Sequence, residues 1–289
     1  DIIMSTEITT AFVEQYKSNV LHLAQQKGSR LRDTVRYQPT VGKSHYFERI
    51  GATAAVVRTT RHSDTPQIDT PHSRRKVTLV DYDWADLIDQ EDKVRMLITP
   101  QSEYAQAGAN AMGRAMDDAI IAAASGNAYS GVAGATTVAL PSAQKIAGGS
   151  TGLTLDKLLS AKEIIDSSEA DPDEARFILC SAKQITDLLG TTEVKSSDYN
   201  TVRALASGQI DTFLGFKFIR TERLAVASSI RSCLAYTESG LGLAVGQDIT
   251  TRISERDDKN YATQVFLSMI IGATRVEDEK VVEIGALES

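Results

Sequence analysis

The sequence predicts an α+β protein, and three observations carry that reading. A polar, proline-bearing excursion runs from about His45 to Asp83, an alanine-rich helical pattern follows from Pro100 to Ala124, and the last third alternates apolar and polar residues at strand period. At 289 residues and 42% hydrophobic content, the chain can bury one large core or two modest ones.

From the amino terminus, Thr6 to Arg36 places Phe12, Val13, Tyr16, Val20, Leu21 and Leu23 at helical spacing among basic residues, which predicts an arm containing a helix. Pro39 and Gly42 end it, and Tyr46 to Val57 has the β-branched and aromatic content of a strand. Between Arg58 and Arg75 lie two prolines, many hydroxyls and almost no apolar side chain, so this stretch has nothing with which to cover a core. Lys76 to Asp83 resumes a strand through Val77, Leu79 and Val80. The two runs are expected to pair and to hold the polar tip away from the body, and a loop this long tends to carry function.

The helix is specified at both ends of its first turn. Thr99 can cap it, Pro100 suits the first helical position, and Glu103 sits where the helix dipole favours an anion. Tyr104, Gly108, Met112, Met116 and Ile120 recur every four residues on one side, with Ala107, Gly108 and Ala111 small enough for close packing. Glu103, Gln106, Asn110, Arg114 and Asp117 mark the opposite, polar side. Ser125 to Gly152, rich in Gly, Ala, Ser and Thr, reads as a connection with at most short strands and as a subdomain boundary.

Leu155, Leu158, Leu159 and Ile165 predict a second helix that stops before Asp171-Pro172. A compact α+β subdomain is expected next: a strand at Phe177 to Cys180, a helix opened by a capping box of Ser181 and Gln184 and closed at Gly190, and a short helix at Thr201 to Ala206. Strand-like residues Phe213, Phe216, Phe218 and Ile219 then straddle Gly215. Cys233 to Tyr236, Ile249 to Ser254, Tyr261 to Thr274 and Val281 to Ile284 read as closing strands, with Val265, Leu267, Met269 and Ile271 on one face.

A formal charge of -7 argues against a protein that coats nucleic acid, since such binding needs an excess of clustered Lys and Arg. The longest apolar run, Val265 to Ala273, contains Ser268 and is far short of the roughly 18 to 20 residues of a membrane-spanning helix. No secretory signal opens the chain, and Met4-Ser5 reads as a translation start. Cys180 and Cys233 sit in apolar surroundings and are expected to be buried free thiols of a reducing compartment.

Signals for chemistry are weak. Gly42-Lys43-Ser44 ends like a phosphate-binding loop, yet Tyr37 stands where its first glycine belongs, which leaves a turn. Gly126, Gly131 and Gly134 lack the spacing of a dinucleotide fingerprint. His62, Asp64, Asp69 and His72 are metal-ligand types, but so polar a loop offers no rigid outer support, and His72-Ser73 with Asp69 has no nucleophile elbow. Asp81, Asp83, Asp86, Asp89, Glu91 and Asp92 interleave with Trp84, Leu87 and Ile88, as in an amphipathic element with a solvated face. No catalytic, cofactor-binding or metal residue is predicted. Contacts between subunits are expected instead, from basic Arg58, Arg61, Arg74, Arg75 and Lys76 to the surface of Asp83, Trp84 and Asp86.

The order of these parts resembles that of tailed-phage major capsid proteins with the HK97-like fold, and Asp81-Tyr82-Asp83-Trp84-Ala85-Asp86-Leu87-Ile88-Asp89 leading into Thr99-Pro100-Gln101 is similar to one branch of them. The resemblance implies an N-terminal arm at 1–44, an extended loop (E-loop) at 45–83, a peripheral domain at 84–175 with a spine helix at 100–124, an axial domain at 176–246, and closing strands of the peripheral domain at 247–289. It further implies a structural protein without cofactors that assembles with itself through hexamers and pentamers into an icosahedral shell around double-stranded DNA, made in the host cytoplasm and residing in the virion capsid. Scaffolding, portal and decoration proteins are the other partners implied, with no membrane. Lys43, Lys76 and Asn260 show no spacing that selects them for the covalent crosslink of some members, and none is expected. The rival readings are an encapsulin-like nanocompartment shell and a metal-dependent or hydrolytic α/β enzyme with the histidine-bearing loop as its lid.

Overall fold

The structure, a computed structural model, describes residues 25–62, 64–89, 100–190 and 212–288. Its strands are β1 (Arg36–Pro39), β2 (Ser44–Ile50), β3 (His72–Thr78), β4 (Val80–Ile88), β5 (Ala128–Ser130), β6 (Thr136–Val138), β7 (Lys145–Ile146), β8 (Arg176–Cys180), β9 (Thr212–Phe213), β10 (Phe216–Arg220), β11 (Val226–Ala227), β12 (Ile230–Thr237), β13 (Leu241–Arg256), β14 (Ala262–Arg275) and β15 (Val281–Leu287). The helices are α1 (Pro100–Ser125), α2 (Leu155–Ser167) and α3 (Ala182–Gly190). The chain divides into two compact units, one of Asp1–Ser29, Val80–Asp117 and Gly246–Ile271, the other of Arg30–Leu79, Asp118–Val245 and Gly272–Ser289.

In the first unit β4 pairs antiparallel with β14, from Val80 opposite Ile271 to Ile88 opposite Thr263, and β14 pairs in turn with β13. The expected face of β14 is present: Val265, Leu267, Met269 and Ile271 are fully buried. Helix α1 lies close to this face, because a Cβ at Gly108 would stand 2.6 Å from the Trp84 ring and 2.7 Å from Leu267. The helix begins at Pro100 as expected and ends at Ser125; the Thr99 cap lies outside the described residues, as does the arm before residue 25.

The polar side of α1 departs from expectation, since Asn110 and Asp117 are buried. Residues 25–29 cover it. Gly28 N–H donates to Asn110 at 3.2 Å, Ser29 Oγ to Asp117 at 2.6 Å, and Gln26 to the same carboxylate. Arg114 donates to Gln25 Oε1 at 2.9 Å and to the Gln26 carbonyl at 3.2 Å. Gly113 has no side chain because the Gly28 backbone occupies that space. Polar residues therefore mark a surface that grips passing backbone, where burial of the Asp117 carboxylate and the Asn110 carbonyl oxygen is offset by hydrogen bonds, while Asn110 Nδ2 is buried without a partner among the described residues.

In the second unit a seven-stranded sheet runs β7-β15-β12-β8-β10-β9, with β11 on β12. Every residue of β8 is buried, as a strand with neighbours on both sides requires. Of the expected Ser181–Gln184 capping box one half is present, Ser181 N–H donating to Gln184 Oε1 at 2.9 Å, and Ser181 Oγ donates to the same oxygen. The turn at Gly215 has φ +87, and the expected helix at Thr201 to Ala206 lies outside the described residues. Cys180 and Cys233 are free and buried, and burial pushes both thiols up to about 12.

Of two expected strands, one is shorter and the other changes partner part-way. The run from Tyr46 pairs only to Ile50 rather than Val57, and the run from Lys76 to Asp83 is split at Leu79, with Val80 onward pairing with β14. Val80 and Asp81 are both exposed, which breaks the period-two alternation and marks the switch.

Candidate functional site: a projecting hairpin with a buried root

Strands β2 and β3 pair antiparallel over their full length, Ser44 opposite Thr78 to Ile50 opposite His72, and β5 and β6 extend the same sheet. The pairing places Phe47, Arg49, Arg75 and Val77 on one face. Phe47 and Val77 are buried, and Gly242 leaves room for the Phe47 ring, which lies 2.6 Å from where a Cβ would stand. Ser130 Oγ donates to the Arg74 carbonyl at 3.1 Å, tying β5 to the hairpin.

Behind this face lies an arginine node. Arg75, 3% exposed, donates from Nη2 to Asp278 Oδ2 at 2.5 Å and from Nε to the Val276 carbonyl at 3.4 Å. The other oxygen of Asp278 accepts from Arg275 Nε at 2.6 Å. Arg275 is fully buried; its Nη1 donates to the Ala124 and Gly126 carbonyls at 3.1 and 2.6 Å, and its Nη2 to the Val138 carbonyl at 3.0 Å. It thereby satisfies acceptors at the carboxyl end of α1, where the helix dipole also favours a cation. Arg49 Nη1 joins at the Val276 carbonyl, 2.9 Å away. Burial lowers the pKa of Arg75, and the neighbouring Arg49 and Arg275 add to that against the opposing pull of Asp278. One carboxylate thus holds two buried guanidiniums and joins the hairpin root to the helix terminus and the turn before β15.

Beyond the root the character changes. Gly51 N–H donates to the Pro71 carbonyl at 2.9 Å, and no backbone hydrogen bond joins the two legs past that point among the described residues. All described residues from Gly51 to Pro71 are exposed, including Val57 at 83%.

The eight residues expected to contact neighbours divide accordingly. Arg58 and Arg61 are exposed on the outgoing leg, Arg58 Nε donating to the Thr60 carbonyl. Arg74 is half-buried on the outer face, paired with Glu48 at 3.3 Å and 5.3 Å over the Tyr46 ring. Lys76 donates to the Ala133 carbonyl at 3.4 Å, its stem against Gly134. Arg75 corrects the expectation of an exposed basic cluster, because strand alternation turns it inward onto Asp278. Asp83 is exposed; Trp84 is half-buried beside Gly108; Asp86, half-buried, accepts from the Leu87 N–H at 2.8 Å. Sequence reading missed Arg49, Arg275 and Asp278, and the one local signal was the Arg275/Asp278 spacing of three. Among the described residues no three His, Cys, Asp or Glu side chains stand together as metal ligands. Gly42, at φ +109, is a turn before β2.

The family model described as phage capsid protein matches residues 8–288. The chain belongs to the phage capsid protein family. Among solved structures, this capsid protein is similar to the capsid of cyanophage P-SCSP1u at 18% identity and a TM-score of 0.74, covering 98% of this chain and 95% of that one. It is similar to the capsid of Ralstonia phage GP4 at 10% identity and a TM-score of 0.74, covering 100% and 98%. A chain of Mycobacterium phage Che8 matches at 15% identity and a TM-score of 0.67, covering 94% and 97%. No curated protein matches. The architecture is the HK97-like capsid fold, α+β as the sequence predicts, and the protein is a major capsid protein whose role is structural. Its place is the virion capsid, and the encapsulin-like and enzymatic alternatives are not favoured.

Proposed function

We propose that this capsid protein assembles through hexamers and pentamers into an icosahedral shell around double-stranded DNA, with the hairpin tip of each subunit lying over a neighbour. The observation that carries the reading is the contrast within one hairpin, a root held by a buried ion network and a tip, Gly51 to Pro71, with no core of its own. A closed shell needs heterologous contacts that curve to closure, and many modest interfaces sum to a stable particle. The negative formal charge suits a container that does not bind its nucleic acid tightly.

In this reading residues 1–44 form the arm, 45–83 the extended loop, 84–175 and 247–289 the peripheral domain, and 176–246 the axial domain. Arg58, Arg61, Arg74 and Lys76 face Asp83, Trp84 and Asp86 of neighbours, and Arg75 serves by orienting the hairpin. Synthesis takes place in the host cytoplasm, with separate scaffolding, portal and decoration proteins as further partners and no enzymatic step by this chain. Electron microscopy and light-scattering mass of the purified protein, across salt and protein concentration, test the proposal. Rings of five or six subunits, or closed shells, are expected; a monomer under every condition, with and without a co-expressed scaffolding protein, would contradict it.

A further inference from the structure

We propose that the arginine node at the hairpin root binds a small oxyanion, of the class of inorganic phosphate, between Arg49 and Arg75. The charges of the node do not balance. Three guanidiniums meet there, Arg49 from β2, Arg75 from β3 and Arg275 from the end of β14, and Asp278 is their one carboxylate partner among the described residues. The nearby acids are committed elsewhere or face solvent. Glu277 lies 3.3 Å from Lys280, Glu48 pairs with Arg74 on the opposite face of the hairpin, and Glu279 is exposed.

Hydrogen-bond donors are in excess as well. Arg275 uses all three of its nitrogens, on Asp278 and on the Ala124, Gly126 and Val138 carbonyls. Arg75 uses two, Nη2 on Asp278 and Nε on the Val276 carbonyl, and its Nη1 is buried without a partner among the described residues. Arg49 uses one, Nη1 on that same Val276 oxygen, and its Nε is likewise buried without a partner. A buried guanidinium N–H left unpaired forfeits more than an ordinary hydrogen bond, so two of them in a node of excess positive charge mark a place for acceptor oxygens. The two side chains are neighbours: both reach the Val276 oxygen, at 2.9 and 3.4 Å, and they lie diagonally across the β2–β3 pair, Arg49 opposite Ser73 and Arg75 opposite Phe47. An oxyanion offers several oxygens to donors from two different side chains, and the planar guanidinium fork matches it. Arg49 is half-buried, which leaves a way in from solvent. The bound ion clamps β2 to β3 just before the two legs part, and it does so within one subunit, so the site does not depend on the shell reading.

Thermal unfolding of the purified subunit, with sodium phosphate replacing sodium chloride at constant ionic strength, tests the inference. The midpoint should rise and level off, by about 3–6 °C at phosphate tenfold above its dissociation constant. Arg49→Gln should abolish the saturable rise. Arg49→Lys, which keeps the charge without the fork, should shift half-saturation at least tenfold upward, and it decides the matter alone if the Gln variant does not fold. Phosphate also stabilises folded proteins generally by exclusion from their surfaces, an effect that does not saturate and that one substitution leaves unchanged. A linear rise, a rise equal in parent and variants, or no rise therefore overturns the site. A phosphodiester carries the same oxygens, so duplex DNA at equal phosphate concentration is the second arm. It should leave the midpoint unchanged, because Arg75, 3% exposed, lies too deep for a polymer backbone. A saturable shift with DNA larger than with the free ion would overturn the small-ion reading.

Discussion

The root and the tip of one hairpin are built on opposite principles. At the root, Phe47, Val77 and Arg75 are buried, and Asp278 divides its two oxygens between Arg75 and Arg275. At the tip, the described residues are all exposed, and among them no backbone bond joins the two legs past the Gly51–Pro71 pair. The geometry of the root is fixed inside the subunit, because one carboxylate can bridge two buried guanidiniums in few arrangements. The tip is free to take its conformation from whatever it lands on. Under the assembly proposed above, a subunit built this way would aim its loop before assembly and complete it during assembly.

Removing Asp278 should have the largest effect on stability, since Asp278→Ala leaves two buried guanidiniums without their carboxylate and is expected to cost about 3–5 kcal/mol in denaturant unfolding. A loss under about 1 kcal/mol would mean that the node holds nothing in place. Next comes Gly242→Val, which pushes into the Phe47 ring and should cost about 1–3 kcal/mol by overpacking. Exchanging Arg74 for Ala removes a pair with Glu48 in which both side chains are more than a third exposed, so a change within about 1 kcal/mol is expected. Smallest of all is deletion of Ala52 to Thr70 with a short turn in its place. It should leave stability within about 0.5 kcal/mol of the parent and yield no shells by electron microscopy. Shells of normal yield from that variant would remove the tip from assembly.

The turn before β8 carries an acid-sensitive group. Glu174 Oε1 accepts from the Ser239 N–H at 2.6 Å, and its other oxygen lies 3.6 Å from Lys280 Nζ. Burial alone would raise its pKa, but the bonds from Ser239 and the Lys280 charge hold it below the ordinary carboxylate value. A depressed folded-state pKa gives stabilisation that is complete above the unfolded-state value of about 4.3 and is lost as pH falls through the folded-state value. Glu174→Gln should therefore flatten the acid limb of the stability curve below about pH 5, and an unchanged slope would deny the group that role.

Legibility followed locality. The spine helix was readable from Pro100 and the four-residue spacing of Met112, Met116 and Ile120, and β14 from its strict alternation, because both signals lie within a single element. The exposed loop was readable from Arg58 onward by its lack of apolar residues, whereas Gly51 to Val57 read as a strand and is exposed and outside any strand. The root was not, because Arg75, Arg275 and Asp278 are brought together from positions 75, 275 and 278 by pairing that no local pattern encodes. Arg75 looked like one more member of an exposed basic cluster until strand alternation placed it opposite Arg74 in facing. The buried Asn110 and Asp117 escaped for a similar reason, since their partners, residues 25–29, lie more than eighty positions away.

Hydrogen–deuterium exchange on the free subunit and on the assembled particle tests the division between root and tip most directly. The account predicts that amides of β2 and β3 are protected in both states, and that amides from Ala52 to Val57 exchange freely in the subunit and slow by at least tenfold in the particle. A tip that exchanges equally fast in both states, or a root that becomes protected only in the particle, would contradict it.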